Sequence, residues 1–218
     1  CIRDSILPVS SRSPLRPRKK PTQARSRATV DAILTAAAQV LQVKGYAGAT
    51  TDRIAERAGV SVGSLYQYFP NKDALLVALA EQHIDAGFAL VRGLLSEALR
   101  ERLGIDALLR RFIDAMVALH ENEPDLHRIL FEEVPLPSSV RSGLRRRENA
   151  FATELRALLG TLPEVNVPDA RVTAYVLVHT VDALVHNFVL HPPDGIDSVQ
   201  LKEELVRMLR RHLTAAHP

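Results

Sequence analysis

The stretch from Thr50 to Leu76, TTDRIAERAGVSVGSLYQYFPNKDALL, places two short helix signals on either side of a tight turn. Thr51 is the predicted N-cap of the first helix, and Gly59 is expected to end that helix after about two turns. Ser61 is predicted to cap the second helix, which Pro70 should end, and Asn71 is predicted to cap the helix that follows. Two short helices joined by a turn that contains glycine are typical of a helix-turn-helix motif.

Aromatic residues are concentrated at the end of the second helix, although the whole chain is only 5% aromatic. Leu65 and Phe69 should face a small core shared with the first helix. The hydroxyls of Tyr66 and Tyr68 are expected to turn outward to phosphate oxygens, but for Tyr66 a partly buried core position is an equal alternative. Lys72 lies in the first turn of the next helix, where it could add a charge-assisted contact to phosphate.

The start of the second helix carries residues suited to reading base edges in the major groove of DNA. Val62 can touch a thymine methyl group, and Gly63 allows the backbone to approach closely. Ser64 can bond to either type of base, and Gln67 can pair with adenine through two hydrogen bonds. The pattern therefore favours a DNA-binding helix.

Charge is unevenly distributed along the 218 residues. Residues 1–73 carry 12 lysines and arginines against 5 acidic residues, whereas the remaining 145 residues carry 16 basic and 20 acidic side chains. A basic amino-terminal third on a mildly acidic body is expected of a polyanion-binding module joined to a second domain. A solvated basic tail is the alternative that charge alone leaves open.

Composition and motifs count against several other classes of protein. No apolar run approaches the roughly 20 residues of a membrane helix and no signal-peptide pattern is present, so we expect a cytoplasmic protein without a membrane partner. The single cysteine, Cys1, cannot form an internal disulfide. The sequence has no phosphate loop, dinucleotide-binding motif, nucleophile elbow or His-Glu-x-x-His, so we predict neither enzymatic activity nor a cofactor.

Helical periodicity continues through the rest of the chain, and no segment alternates with period two, so we predict an all-α fold without strands. The predicted helices span about 25–44, 51–58, 61–69, 71–103, 105–122, 124–133, 138–160, 168–190 and 196–213. Residues 1–24 mix Pro, Ser and Arg without periodicity and predict a disordered basic arm. We therefore divide the chain into this arm, a helix-turn-helix domain at 25–72 and a larger helical domain at 73–218.

The predicted helix at about 168–190 differs from the others because its stretch AYVLVHTVDALVHNFVL is apolar on nearly every side. Such a helix must be covered on more than one face. One small domain can hardly cover it, whereas a four-helix bundle formed with the corresponding helices of a second copy can. We therefore predict a homodimer built on this helix and the helix at about 196–213.

Eight histidines raise the question of a metal site. His179, Asp182 and His186 fall on one helical face by their spacing. On an apolar helix, a polar group that lines a cavity or a histidine bonded to a carbonyl is the more common outcome, so we assign no metal site. His120 and His127 lie seven residues apart across a helix break and form no metal-binding motif.

The opening stretch resembles the tetracycline-repressor (TetR) family of bacterial transcription regulators. AERAGVSVGSLYQYFPNKDALL follows TTDRI, and both follow a helix ending in KGYAGAT, at the family's spacing. The resemblance implies an all-α homodimer whose three amino-terminal helices bind a double-stranded DNA operator. It also implies a larger carboxy-terminal domain that holds a small-molecule effector pocket and the dimer contact, in a repressor that leaves DNA when its ligand binds. Carried over by position, the DNA-contacting residues are Thr50, Thr51, Ser61, Val62, Gly63, Ser64, Tyr66, Gln67, Tyr68 and Lys72.

Large side chains on the middle helices are expected to form this mostly apolar effector pocket. The predicted walls are Phe112, Met116, Phe151 and Tyr175, and the predicted polar anchor is His120 or His179. The alternative function is an all-α carrier or sensor of an apolar small molecule, in which the basic end serves an anionic surface. A salt-dependent and sequence-selective interaction with duplex DNA would separate the two functions.

Overall fold

The computed structural model describes residues 24–121 and 123–215, and every regular element in those ranges is helical. The predicted all-α fold is therefore confirmed for this part of the chain. The predicted disordered arm, residues 1–24, lies outside the described residues except for Ala24, at which the first helix begins.

Nine α-helices and one π-helical turn follow one another within the described ranges. They are α1 (Ala24–Gly48), α2 (Thr51–Ala58), α3 (Val62–Tyr68), α4 (Lys72–Arg100), α5 (Ile105–Glu121), α6 (Pro124–Arg128), the π-helical turn Ile129–Glu133, α7 (Ser138–Leu159), α8 (Ala170–Leu190) and α9 (Ser198–Thr214). The chain divides into two compact units, Cys1–Ala80 and Glu81–Pro218, so α4 begins in the first unit and ends in the second. The boundary predicted after residue 72 falls at the start of α4.

Caps define the ends of α2. The Oγ1 atom of Thr50 accepts a hydrogen bond from the backbone N–H of Arg53 at 3.4 Å, and Thr50 has an extended backbone. Thr51 is already the first helical residue, so the prediction that Thr51 caps α2 is wrong by one position. Gly59 ends α2 with a φ of 68°, a left-handed conformation that glycine adopts without a steric penalty.

The predicted caps of the next two helices are confirmed. The hydroxyl oxygen of Ser61 accepts from the backbone N–H of Ser64 at 3.0 Å and caps α3. The side-chain oxygen of Asn71 accepts from the backbone N–H of Ala74 at 2.8 Å at the start of α4. Each side chain satisfies a donor that the first helical turn leaves without an intrahelical partner.

The core of the first unit explains why two such short helices hold their positions. Leu65 and Phe69 are buried together with Ile54 of α2 and Ile33 and Leu41 of α1. Burial of these large apolar side chains supplies the stabilisation that helices of seven or eight residues lack in isolation. The prediction that Leu65 and Phe69 face the core is confirmed.

The second unit is built around the interface of α5 with α8 and α9 and of α7 with α8. Ile113 of α5, Val181 and Val185 of α8, and Leu213 of α9 are fully buried in its core. The side chain of Asp197 and that of Gln200 form a reciprocal capping box at the start of α9. This arrangement fixes the direction in which the last helix enters the core.

The segment predicted as a continuous helix at 124–133 changes its winding partway. It consists of α6 and then the π-helical turn Ile129–Glu133. Ile129 and Leu130 are buried within this turn, and Phe131 is half-buried. A π-helical turn shifts the side chains that follow relative to an α-helix, and such turns occur frequently at functional sites.

Two of the helices have the length and composition of a membrane-spanning helix, namely α4 and α8. We expected no apolar run to approach the length of a membrane helix. By helix length and mean hydropathy, α4 and α8 contradict that expectation. Half of the most apolar window of α4 is buried inside the protein, as is 33% of that of α8. A core helix of a soluble domain passes the same test, so this property by itself assigns no membrane role.

Candidate DNA-binding surface and ligand cavity

The outer face of α3 brings together the side chains predicted to contact DNA. Ser61, Gly63 and Gln67 are exposed, and Val62 and Ser64 are half-buried. Because Leu65 and Phe69 turn inward, the first turn of α3 and the residue one turn later are presented to solvent. The arrangement leaves the Gln67 amide free to reach beyond the protein surface.

Both tyrosines of α3 lie near this face, but their exposure differs from the sequence-based expectation. Tyr66 is 40% exposed, and its hydroxyl lies 3.1 Å from the Oγ1 atom of Thr51. Tyr68, the last residue of α3, is half-buried. Tyr66 is therefore the more exposed of the two tyrosines, and a phosphate contact of either hydroxyl stays a prediction.

Lys72 is held by Tyr46, a residue that the sequence reasoning missed. The Lys72 ammonium donates a hydrogen bond to the backbone carbonyl of Tyr46 and lies 4.0 Å from the centroid of the Tyr46 ring. Burial lowers the pKa of Lys72, and the charge of Asp73 partly offsets this effect. A lysine ammonium has three donors, so this contact orients Lys72 and leaves donors for a phosphate oxygen.

A cavity of about 230 Å³ lies inside the second unit. It is lined by side chains of α4, α5, α6, the π-helical turn, α7 and α8. The lining residues are His83, Ile84, Gly87, Phe88, Val91, Phe112, Met116, Leu119, His120, His127, Phe131, Leu144, Glu148, Phe151, Val178, Asp182, Ala183 and His186. Apolar side chains dominate, and the polar residues among them are four histidines and two acids.

Four of the six residues predicted to form an effector pocket line this cavity. These are Phe112, Met116, His120 and Phe151, and the rings of Phe112 and Phe151 stack with centroids 6.1 Å apart. The placement of Tyr175 and His179 in the pocket needs correction, because neither lines the cavity. Tyr175 is 53% exposed, and its ring packs against that of His179 with centroids 4.3 Å apart.

The histidines of the cavity form one cluster. The rings of His120 and His127 have centroids only 4.7 Å apart, although the sequence spacing of these two residues forms no metal-binding motif. The Nε2 atom of His127 lies 2.8 Å from Nδ1 of His186, and its Nδ1 atom lies 3.1 Å from Nε2 of His83. The turn between α5 and α6 brings the first pair together, and α4 and α8 supply the other two rings.

Burial favours the uncharged form of three of these histidines, His83, His127 and His186. Burial, together with the neighbouring His120, His186 and His83, lowers the pKa of His127 to about 2. Burial also lowers the pKa values of His83 and His186. The neutral imidazoles therefore act as hydrogen-bonding or metal-binding groups at neutral pH, not as fixed positive charges.

Two carboxyl groups complete the polar lining of the cavity. Burial raises the pKa of Glu148, and the nearby carboxylate of Asp182 raises it further. The sequence reasoning did not select Glu148, and it considered Asp182 only together with His179 and His186. The helical periodicity of α4 could have identified His83 as a lining residue. His83, Gly87 and Val91 are spaced four residues apart and lie on the inner face of α4.

The all-helical fold, the helix-turn-helix with its exposed α3 face, and the separate unit with an internal cavity define a DNA-binding transcription regulator. Two family models match the chain: "Bacterial regulatory proteins, tetR family" over residues 33–79, and "Tetracyclin repressor-like, C-terminal domain" over residues 105–213. The chain belongs to the tetR family, and the resemblance seen in the sequence is confirmed.

Individual relatives agree with this assignment. The transcriptional activator FasR of Mycolicibacterium smegmatis is 37% identical over 100 residues, which are 46% of this chain and 44% of FasR. The transcriptional regulator YvkB of Bacillus subtilis is 33% identical over 141 residues, or 65% of this chain and 71% of YvkB. The match therefore spans less than half of FasR but more than two thirds of YvkB.

Solved structures share the fold. The transcriptional regulator FadR of Bacillus subtilis, determined in complex with stearoyl-CoA, superposes with a TM-score of 0.62. The superposition covers 84% of this chain and 98% of FadR at 22% sequence identity. At this identity the likeness establishes the fold alone.

Proposed function

We propose that the protein is a ligand-responsive repressor that binds a pseudopalindromic operator as a homodimer and leaves it when a small apolar effector binds. The observation that carries the proposal is the combination of an exposed α3 face in one compact unit with a mostly apolar cavity in the other. The first feature suits base reading and the second suits a small ligand.

The DNA-binding part of the proposal is supported by charge as well as shape. The basic excess of residues 1–73 favours a polyanion, and the exposed amide of Gln67 offers the donor and acceptor that adenine requires. We assign base contacts to Val62, Gly63, Ser64 and Gln67. We assign phosphate contacts to Thr50, Thr51, Ser61, Tyr66, Tyr68 and Lys72.

The dimer is supported by the surface of the last two helices. Val172, Tyr175, Val176 and Leu184 are exposed along α8. Val199 and Met208 are exposed on α9. A second copy that packs the same two helices against these would bury the apolar strip in a four-helix bundle.

The effector is inferred from the lining of the cavity. Aromatic and aliphatic side chains cover most of the wall, and the polar groups are gathered among the histidines and acids. A mostly apolar molecule with one polar group matches such a wall. Release from DNA requires only that this ligand prefer the conformation that does not fit the operator.

Selection of bound sequences from random duplex DNA tests the proposal directly. A palindromic motif with half-sites about one helical turn or a multiple apart is expected from two symmetry-related α3 helices. Binding without sequence preference at any salt concentration would instead favour the carrier or sensor function.

Replacing Gln67 by alanine should weaken binding to the selected operator by about 1–3 kcal/mol, because an adenine loses two hydrogen bonds. Preference should relax at one position in each half-site, while binding to scrambled duplexes barely changes. Binding isotherms on matched and scrambled DNA measure both effects. Equal weakening on all sequences would contradict the base-reading role of Gln67.

Replacing Lys72 by methionine should weaken binding to all duplexes nearly equally, since this side chain is assigned to phosphate. Methionine retains an unbranched apolar stem beside Tyr46 and removes the charge. The log–log salt slope should become shallower by roughly 0.9 for each phosphate that is no longer neutralised, and a dimer carries two copies of Lys72. A changed base preference with an unchanged salt slope would show that α3 is placed wrongly on DNA.

A panel of small apolar compounds should contain members that raise the melting temperature and weaken operator binding. At a ligand concentration of 100 Kd the stabilisation is about 2.7 kcal/mol, which corresponds to roughly 5–10 °C for a chain of this size. Met116→Trp should abolish the response by filling the cavity, whereas Leu90→Trp, at an exposed position on α4, should retain it. A broad panel without any response would contradict the pocket.

A further inference from the structure

The histidines at the polar end of the cavity are arranged like a set of ligands. His120, His127 and His186 come from α5, α6 and α8, and each offers a ring nitrogen within 4.8 Å of the other two. His120 and His127 are buried, and His186 is half-buried. Three imidazoles from separate helices therefore converge on one point next to the apolar cavity.

The orientation of His120 is fixed by the backbone. Its Nδ1 atom lies 2.7 Å from the carbonyl oxygen of Met116, and a carbonyl can only accept a hydrogen bond. Nδ1 therefore carries the proton, which leaves a lone pair on Nε2. Histidines that bind metals usually hold their other ring N–H on a carbonyl or carboxylate in this way, and the contact makes them better ligands.

The orientation of His127 is fixed in a similar way by a hydrogen bond with His83. If Nδ1–H of His127 donates to Nε2 of His83 across 3.1 Å, Nε2 of His127 carries the free lone pair. That lone pair faces Nδ1 of His186 at 2.8 Å. His83 then acts as a positioning residue for His127, as the Met116 carbonyl does for His120.

We propose that His120, His127 and His186 bind a divalent first-row transition metal ion, with Zn²⁺ as the reference ion, and leave one coordination position open to the cavity. Imidazole ligands suit zinc, copper, nickel and cobalt, whereas magnesium and calcium require oxygen ligands. Three histidines and one open position form a known type of tetrahedral zinc site. The site does not depend on the proposed repressor function.

The required rearrangement is small. Two nitrogens on a tetrahedral zinc ion lie about 3.3 Å apart when each Zn–N bond is about 2.0–2.1 Å. The His127 and His186 nitrogens, now 2.8 Å apart, must separate by roughly half an ångström, and the widest pair, at up to 4.8 Å, must close by about 1.5 Å. The proton on Nδ1 of His186 moves to Nε2, so that Nδ1 of His186 can offer its lone pair to the metal ion.

Negative charge near the cluster would offset the charge of the ion. Asp182 and Glu148 line the same cavity, and Asp182 lies one helical turn from His186 on α8. If only neutral imidazoles surrounded the dication, its charge would stay uncompensated, and placing it in an apolar cavity would cost free energy. The two carboxyl groups reduce that cost without serving as ligands.

Titration of the chelator-treated full chain with Co²⁺ tests the site, because tetrahedral Co²⁺ has intense visible absorption bands. We expect saturation at about one ion per chain, and Zn²⁺ should displace Co²⁺ and abolish the bands. His186→Gln and His127→Gln should each weaken binding by more than about 100-fold, since each removes a ligand. His83→Phe should weaken binding by about 10- to 100-fold and leave the band positions unchanged, as expected of a positioning residue.

His212→Gln, at an exposed position on α9, is the matched control, and its Co²⁺ affinity should be unchanged. A wild-type titration without saturable tetrahedral bands up to millimolar Co²⁺ would overturn the site. Bands that survive in His186→Gln or disappear in His212→Gln would also overturn it. Far-UV circular dichroism checks each variant. If His127→Gln does not fold, the wild-type spectrum and His186→Gln still decide.

Discussion

Replacing Val176 by aspartate is expected to convert the protein from a dimer to a monomer at micromolar concentration. Val176 is 44% exposed on α8 of the single chain, so an aspartate there is solvated and leaves the fold intact. In the proposed four-helix bundle, the two-fold symmetry places both carboxylates in the buried interface. Burying charges without partners costs several kcal/mol, so the dimer dissociation constant should rise by at least about 100-fold.

Loss of the dimer should also weaken operator binding, because a monomer can occupy only one half-site at a time. Sedimentation velocity and operator titration over the same concentration range measure the two effects together. Leu90→Asp is the matched control, since Leu90 is also 44% exposed but lies on α4, outside the proposed interface. A Val176→Asp protein that remains a tight dimer, or a Leu90→Asp protein that dissociates, would contradict an interface on α8 and α9.

The first unit was largely predictable because its signals are local. Ser61 and Asn71 cap their helices through side chains three residues from the backbone groups they satisfy, so sequence spacing alone identifies them. The error at Thr51 has an equally local cause. Thr50 and Thr51 are both able to cap a helix, and only the backbone conformation of Thr50 decides between them.

The second unit was predictable in its helices but not in its cavity. The helix α8 is apolar on nearly every side, so periodicity does not show which face turns inward. For this reason Tyr175 was assigned to the pocket although it is exposed, and Asp182 was not. The histidine cluster depends on how four segments of the chain pack together, and no local spacing encodes that arrangement.

The π-helical turn shows a further limit of periodicity. Residues 124–133 carry apolar side chains at intervals that fit one helix, yet the winding changes after Arg128. The change positions Phe131 beside the histidines, with its ring centroid 4.5 Å from that of His127. A sequence pattern of period 3.6 does not report such a shift.

Replacing Phe69 by alanine is expected to unfold the DNA-binding unit and abolish specific operator binding. Phe69 is 1% exposed and packs in a core with Leu65 and Ile54. Removing a buried phenylalanine ring costs about 3–5 kcal/mol, and a unit of this size has a stability of only a few kcal/mol. Since α2 and α3 are too short to persist without that core, the α3 face should be lost.

The second unit provides the internal test of this prediction. It has its own core, so Phe69→Ala should lower the helical circular dichroism signal while sedimentation and thermal stabilisation by cavity ligands persist. Tyr66→Ala is the control for stability alone, because Tyr66 is assigned to a phosphate contact. Tyr66 is 40% exposed, so its removal should cost about 1 kcal/mol or less of stability and leave the helical signal unchanged. If Phe69→Ala retains full helicity and operator affinity, the buried Phe69 ring does not hold the helix-turn-helix together.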